Sequence, residues 1–232
     1  MKNNWSKKIA KKYIKKYKKL GFSKDLALRV YTTRLLGRNR ELVLHGGGNT
    51  SVKTTIKDID NKKYNVLCVK GSGWDMADIE PEGLPAVKLE PLLALKNKQY
   101  LSDEDMVAYQ KRNLIDIKSP NPSVETFLHA FLPFKYVDHT HADAVLNVTN
   151  RPGGLNFCRK IFGDKTCIVP YVMPGFKLAK KINEIYKKNP KINCLVLMNH
   201  GIFTFADDCK EAYDLMIKYV SKAERAVKKL KS

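Results

Sequence analysis

Residues 194–205 read Cys194-Leu195-Val196-Leu197-Met198-Asn199-His200-Gly201-Ile202-Phe203-Thr204-Phe205. The first five are an unbroken apolar run, the pattern of a central strand covered on both faces. Asn-His-Gly interrupts the run, and a second apolar segment follows it. Working outward, 176–188 has helical spacing and is stopped by Pro190, while 168–172 suits a short strand. Residues 136–142 read as another strand, with 143–149 continuing as a helix. Further upstream, 51–56 alternates and Asp60-Asn61 is a turn, so 64–69 reads as the returning strand. Helices are expected over 6–20 (Ile9, Tyr13, Ile14 and Tyr17 in register, Gly21 as the stop) and from a Ser23 cap to 36. More are expected over 84–96, from Ser102 onward, over 124–132 and over 207–229. The order predicts one α/β domain over 1–232, α+β layered, with a mainly antiparallel sheet flanked by helices. Residues 1–20 form its Lys-rich N-terminal helix.

Composition sets the class. Apolar residues make up 44% of the 232, enough for a packed core and too many for disorder. No apolar run approaches the roughly 18–20 residues of a membrane span, and the Lys-rich start lacks the apolar core of a secretory signal. Five scattered cysteines without a CxxC point away from disulfides and towards a reducing, cytoplasmic setting. The net charge of +20 would suit an anionic partner. The lysines cluster at the two ends, in 7–19 and 222–231, with no nucleic-acid motif beside them. Solvated helix faces are therefore expected, with neither nucleic acid nor membrane as a partner.

The chemistry-bearing residues are few. His139 and His141 stand two apart on a predicted strand, which puts both rings on one face roughly 6–7 Å apart. Two imidazoles so placed suit one metal ion, and His200, just beyond a buried strand, can lean over the sheet edge to join them. Three protein ligands with an open fourth position is the layout of a catalytic zinc site. Glu125 follows Pro122-Ser123-Val124 and falls in a first helical turn. There it is either an acid/base near the metal or a glutamate favoured by the helix dipole. His129, four residues on, reads as a satisfied helix histidine. The loops Gly46-Gly47-Gly48-Asn49 and Lys70-Gly71-Ser72-Gly73 can each offer N–H groups to a phosphate or be tight turns. Neither is a P-loop or a dinucleotide fingerprint.

Gly48-Asn49-Thr50-Ser51, Gly71-Ser72-Gly73, Pro122-Ser123-Val124-Glu125, His139-Thr140-His141 and His200-Gly201, in that order, resemble the class II aldolase/adducin family. The wording of GGGNTSVK, KGSGWDMADIEPEGLPAVKLEPL, NPSVETFLHAFLP, VDHTHADAV and VMPGFKLAK is similar to the aldolase half of bifunctional rhamnulose-1-phosphate aldolase/dehydrogenase proteins. The resemblance implies zinc on His139, His141 and His200, with another divalent metal as the alternative. It implies Glu125 as the proton shuttle at the reacting carbon. Gly48, Asn49, Ser72, Gly73 and Ser123 would cradle the phosphate of a sugar substrate, in a homotetramer. Val124 departs from the second serine of the simpler fuculose-phosphate aldolases.

The chain carries no GxGxxG, and whether a separate dehydrogenase partner supplies that activity is left open by the sequence. No tyrosine is assigned to protonate the leaving oxygen. The leading expectation is a metal-dependent aldolase that cleaves a deoxy-ketose 1-phosphate, L-rhamnulose 1-phosphate first. Other metal-dependent reactions on the same scaffold (epimerase, dehydratase, decarboxylase) and a non-catalytic adducin-like module are the alternatives.

Overall fold

The computed structural model describes residues 1–231. The alternating segments pair as a hairpin: β1 (Asn49–Lys57) lies antiparallel to β2 (Lys63–Val69). Beyond them run β3 (Ala86–Lys88), β4 (Tyr136–Thr140), β5 (Thr166–Val169), β6 (Cys194–Leu197) and β7 (Gly201–Ala206). The seven make one sheet in the order β3-β2-β1-β4-β7-β6-β5. Every pairing is antiparallel except β5 with β6, so the mainly antiparallel sheet is as expected.

Period-two alternation divides the core between the sheet's faces. On β6, Cys194 and Val196 join one cluster while Leu195 and Leu197 join the other; on β7, Ile202 and Ala206 part from Phe203 and Phe205. The first cluster lies under α1 (Lys7–Lys19), α2 (Lys24–Gly37), α6 (Asp143–Thr149), α7 (Gly154–Phe162) and α9 (Cys209–Lys231). The second lies under α3 (Leu89–Ala94), α4 (Asp103–Arg112), α5 (Thr126–Phe131) and α8 (Phe176–Lys188). Hence the 194–198 run is apolar throughout: β6 is covered on both sides.

The caps agree with the sequence. Ser23 Oγ accepts from Leu26 N and Ser102 Oγ from Asp105 N. The helix expected over 84–96 is shortened. Residues 86–88 instead extend the sheet as β3, pairing with the outer edge of β2. Pro85 disfavours helical geometry at Leu84, and the open edge of β2 takes up the segment that follows. Glu125 stands at the N-cap of α5 rather than within its first turn. Among the described residues, no helix is long and apolar enough to cross a membrane.

Candidate metal centre

Three sheet features bring three imidazoles together. His139 lies within β4 and is fully buried; His141 follows two residues later and is half-buried. His200 sits in the tight turn that links β6 to β7, where Asn199 adopts φ 59°. Gly201 closes this turn, and a Cβ there would stand 2.4 Å from the Thr140 carbonyl oxygen and 3.1 Å from the rings of His139 and His141. A side chain at 201 would therefore push the centre apart. One ring nitrogen from each of His139, His141 and His200 falls within 4.8 Å of the others.

The hydrogen bonds orient the rings for ligation. His139 Nδ1 donates to the Ile202 carbonyl at 3.0 Å, which leaves Nε2 as a lone pair. That Nε2 lies 3.0 Å from His141 Nε2 and 3.3 Å from Glu125 Oε2, and His200 Nε2 lies 3.4 Å from Glu125 Oε1. Burial holds all three imidazoles neutral, His200 down to about 4, with the neighbouring histidines adding to the effect on His139 and His200. Neutral rings are what metal ligation needs. Burial also pushes the Glu125 carboxyl up to about 7, opposed by the Asn49 amide, which donates at 2.7 Å. Convergent lone pairs and a carboxylate fit a divalent cation of the zinc type.

The five residues predicted for a phosphate lie beside this cluster. Gly48, Asn49, Ser72, Gly73 and Ser123 line one cleft of about 270 Å3 together with Glu125, His141 and His200; His139 lies beneath it. Main-chain bonds hold the 70–73 loop to the Glu125 segment: Ser72 N donates to Asn121 O at 2.7 Å, and Ser123 N to Lys70 O at 3.1 Å. Gly48 is required twice over, by φ 66° and because a Cβ would meet the His139 carbonyl at 2.7 Å.

Sequence reasoning missed Lys70, which lines the same cleft and spans to the other loop, its Nζ donating to Gly46 O at 3.0 Å. Its signal was a lysine between an apolar strand and Gly-Ser-Gly. His129 is buried and hydrogen-bonded outside the cluster, as a satisfied helix histidine should be.

Residues 27–227 match the family model described as Class II Aldolase and Adducin N-terminal domain. The chain belongs to the class II aldolase and adducin family. Within that family, it is 41% identical to the N-terminal class II aldolase domain of a conserved protein from Thermoplasma acidophilum. That match has a TM-score of 0.85 and covers 98% of this chain and 99% of that one. An uncharacterized oxidoreductase of Bacillus subtilis, YuxG, is 39% identical over 198 residues, 85% of this chain but 29% of YuxG. The chain thus spans under a third of that relative's length. The L-fuculose-1-phosphate aldolase of Thermus thermophilus shares the fold at 17% identity and TM-score 0.55, over 87% of this chain and 94% of that one.

Proposed function

We propose that the chain is a metal-dependent aldolase, an aldehyde-lyase that cleaves a deoxy-ketose 1-phosphate, first of all L-rhamnulose 1-phosphate, to dihydroxyacetone phosphate and lactaldehyde. The observation that carries this reading is one cleft that joins the three-imidazole cluster, a buried carboxyl and two donor-rich loops. His139, His141 and His200 would hold zinc. When bound, it supplies a Lewis acid for the negative charge that develops on the substrate as the carbon–carbon bond breaks.

The chain's own groups do the rest. Ser72, Ser123, the Gly48 and Gly73 turns and Lys70 bind and orient the phosphate end. Glu125 stands between the cluster and Asn49, placed to give a proton to the substrate carbon that takes up the electrons. A carboxyl held at about 7 is suited to both giving and taking that proton near neutrality. A homo-oligomer, a tetramer, is proposed by the family's example. The oxidoreductase name of the longer relative supports a dehydrogenase partner. Five free cysteines support a cytoplasmic setting.

The test is metal analysis of the purified protein, with dihydroxyacetone phosphate release measured from rhamnulose 1-phosphate and fuculose 1-phosphate, with and without chelator. Chelator-sensitive release is expected. Absence of both metal and release overturns the proposal. Bound metal without release moves the centre to another metal-dependent reaction on sugar phosphates.

A further inference from the structure

Strand β1 turns every second side chain onto α5. Asn49, Ser51 and Lys53 share a face of the strand, and all three reach His129. Lys53 Nζ donates to the His129 carbonyl at 2.8 Å and to those of Leu132 and Phe134 at 2.7 Å each. Ser51 Oγ lies 2.8 Å from His129 Nδ1, and Asn49 Oδ1 lies 2.5 Å from His129 Nε2. The ring is fully buried, with Phe203 edge-on at 5.7 Å between centroids. His129 follows Glu125 by four residues, one helical turn away.

Donor chemistry fixes the direction of each bond. Once ionised, Glu125 only accepts, so Asn49 shows it the amide nitrogen; Nδ2 lies 2.7 Å from Glu125 Oε2 and 3.1 Å from Ser123 Oγ. The amide oxygen then faces His129, and because it too only accepts, the proton must sit on Nε2. Burial, with the charges of Lys53 and Arg29, keeps this ring neutral, so it has a single N–H. Nδ1 is left to accept from the Ser51 hydroxyl. The bonds therefore run one way, from Ser51 to His129 to Asn49 to Glu125.

We propose that His129 is a positioning residue: its Nε2–H locks the Asn49 amide with the nitrogen towards Glu125 and Ser123. Without that donor the amide is free to turn over. Its oxygen would then oppose the carboxylate, and Glu125 would lose its place beside the imidazole cluster. Only the kinetic consequence of this arrangement rests on the proposed role of Glu125.

Two variants separate positioning from packing. In His129→Gln a side-chain amide carries a donor to about the place of Nε2. His129→Leu fills the space with no donor. The experiment is NMR of metal-free protein labelled with 15N in imidazole and side-chain amide groups.

The wild type is expected to show the Nε2–H tautomer at His129 and two unequal, protected amide protons at Asn49. His129→Gln keeps that Asn49 signature, and His129→Leu reduces it to that of an unrestrained amide. On whichever sugar phosphate the enzyme turns over, His129→Leu lowers kcat about 10–100-fold with KM changed by no more than about twofold, and His129→Gln restores most of it.

An Nδ1–H tautomer in the wild type overturns the proposal. So does an unchanged Asn49 signal in folded His129→Leu. Should the leucine variant fail to fold, the wild-type tautomer and the glutamine variant still decide. Lack of turnover by the wild type counts against the aldolase reading and leaves the NMR result standing.

Discussion

Asp138 and His139 are neighbours on β4, both fully buried and on opposite faces of the sheet. Asp138 meets Arg29 Nη2 at 2.5 Å. The rest of that guanidinium is taken up by Ser51 O at 3.2 Å, Thr32 Oγ1 at 2.6 Å and Thr33 Oγ1 at 3.3 Å. That face is closed in charge, an anion matched against a cation, and the Asp138 oxygens have no further hydrogen-bond partner among the described residues. On the other face the free Nε2 lone pair of His139 meets His141 Nε2 and a Glu125 oxygen, a convergence of nitrogen and oxygen ligand atoms that a metal cation can complete. Burial of titratable groups is common to both faces. What marks the functional face is the kind of partner it still needs.

The largest expected effect breaks the closed face. Arg29→Met leaves Asp138 as an uncompensated buried charge, and unfolding in urea should show a loss of about 3–5 kcal/mol. A double variant that also replaces Asp138 with leucine should recover much of this, since an apolar pair needs no counter-charge. Zinc content of the folded double variant should match the wild type. If zinc is lost as well, the two faces are not independent.

Next in size is a change on the open face. Glu125→Gln keeps a similar shape and removes the carboxyl proposed to transfer the proton. Turnover of the sugar phosphate should fall about 10²–10⁴-fold while bound metal, measured by elemental analysis, stays near the wild-type level. Turnover that survives would remove Glu125 from the proton step.

The two faces were not equally legible in sequence. The open face was readable because its parts are local: His139-Thr140-His141 carries a strand's period of two, and His200-Gly201 marks a turn after an apolar run. The closed face was not. Arg29 and Asp138 are 109 positions apart (138 − 29), and each looks like an ordinary charged residue in its own element. Most elements followed from alternation and caps. α7 did not, since Gly153 and Gly154 at its start supply no side-chain cap to mark it. β3 did not, because a three-residue edge strand depends on the open edge of β2 rather than on its own pattern. Lys70 was quoted with its loop but given no role, as only the fold turns its ammonium towards Gly46.

A smaller effect tests how firmly the open face is mounted. Lys53 Nζ satisfies three carbonyls at and just past the end of α5, the helix whose N-cap is Glu125. Lys53→Met keeps the stem and leaves those carbonyls unmet, so stability should fall by about 1–3 kcal/mol in a denaturant titration. An unchanged midpoint would mean that packing alone holds α5.

The smallest expected signal is a proton count, and it addresses the comparison most directly. Burial raises the Glu125 carboxyl to about 7 and lowers His200 to about 4, with His139 and His141 also lowered. At pH 6 the metal-free centre therefore holds a proton on the carboxyl, while burial disfavours protons on the rings. A cation in the cluster favours the carboxylate, so zinc binding at pH 6 should release about one proton, chiefly from Glu125. Release should fade as pH rises through 7 towards 8, where the free carboxyl is already ionised. Three histidines of ordinary pKa would instead release about 2 protons at pH 6. Calorimetric titration with zinc in buffers of differing ionisation enthalpy counts the protons, and Glu125→Gln should bring the count close to zero. Release that persists in that variant would put the proton on the imidazoles, and the open face would then be completed by a proton before any metal arrives.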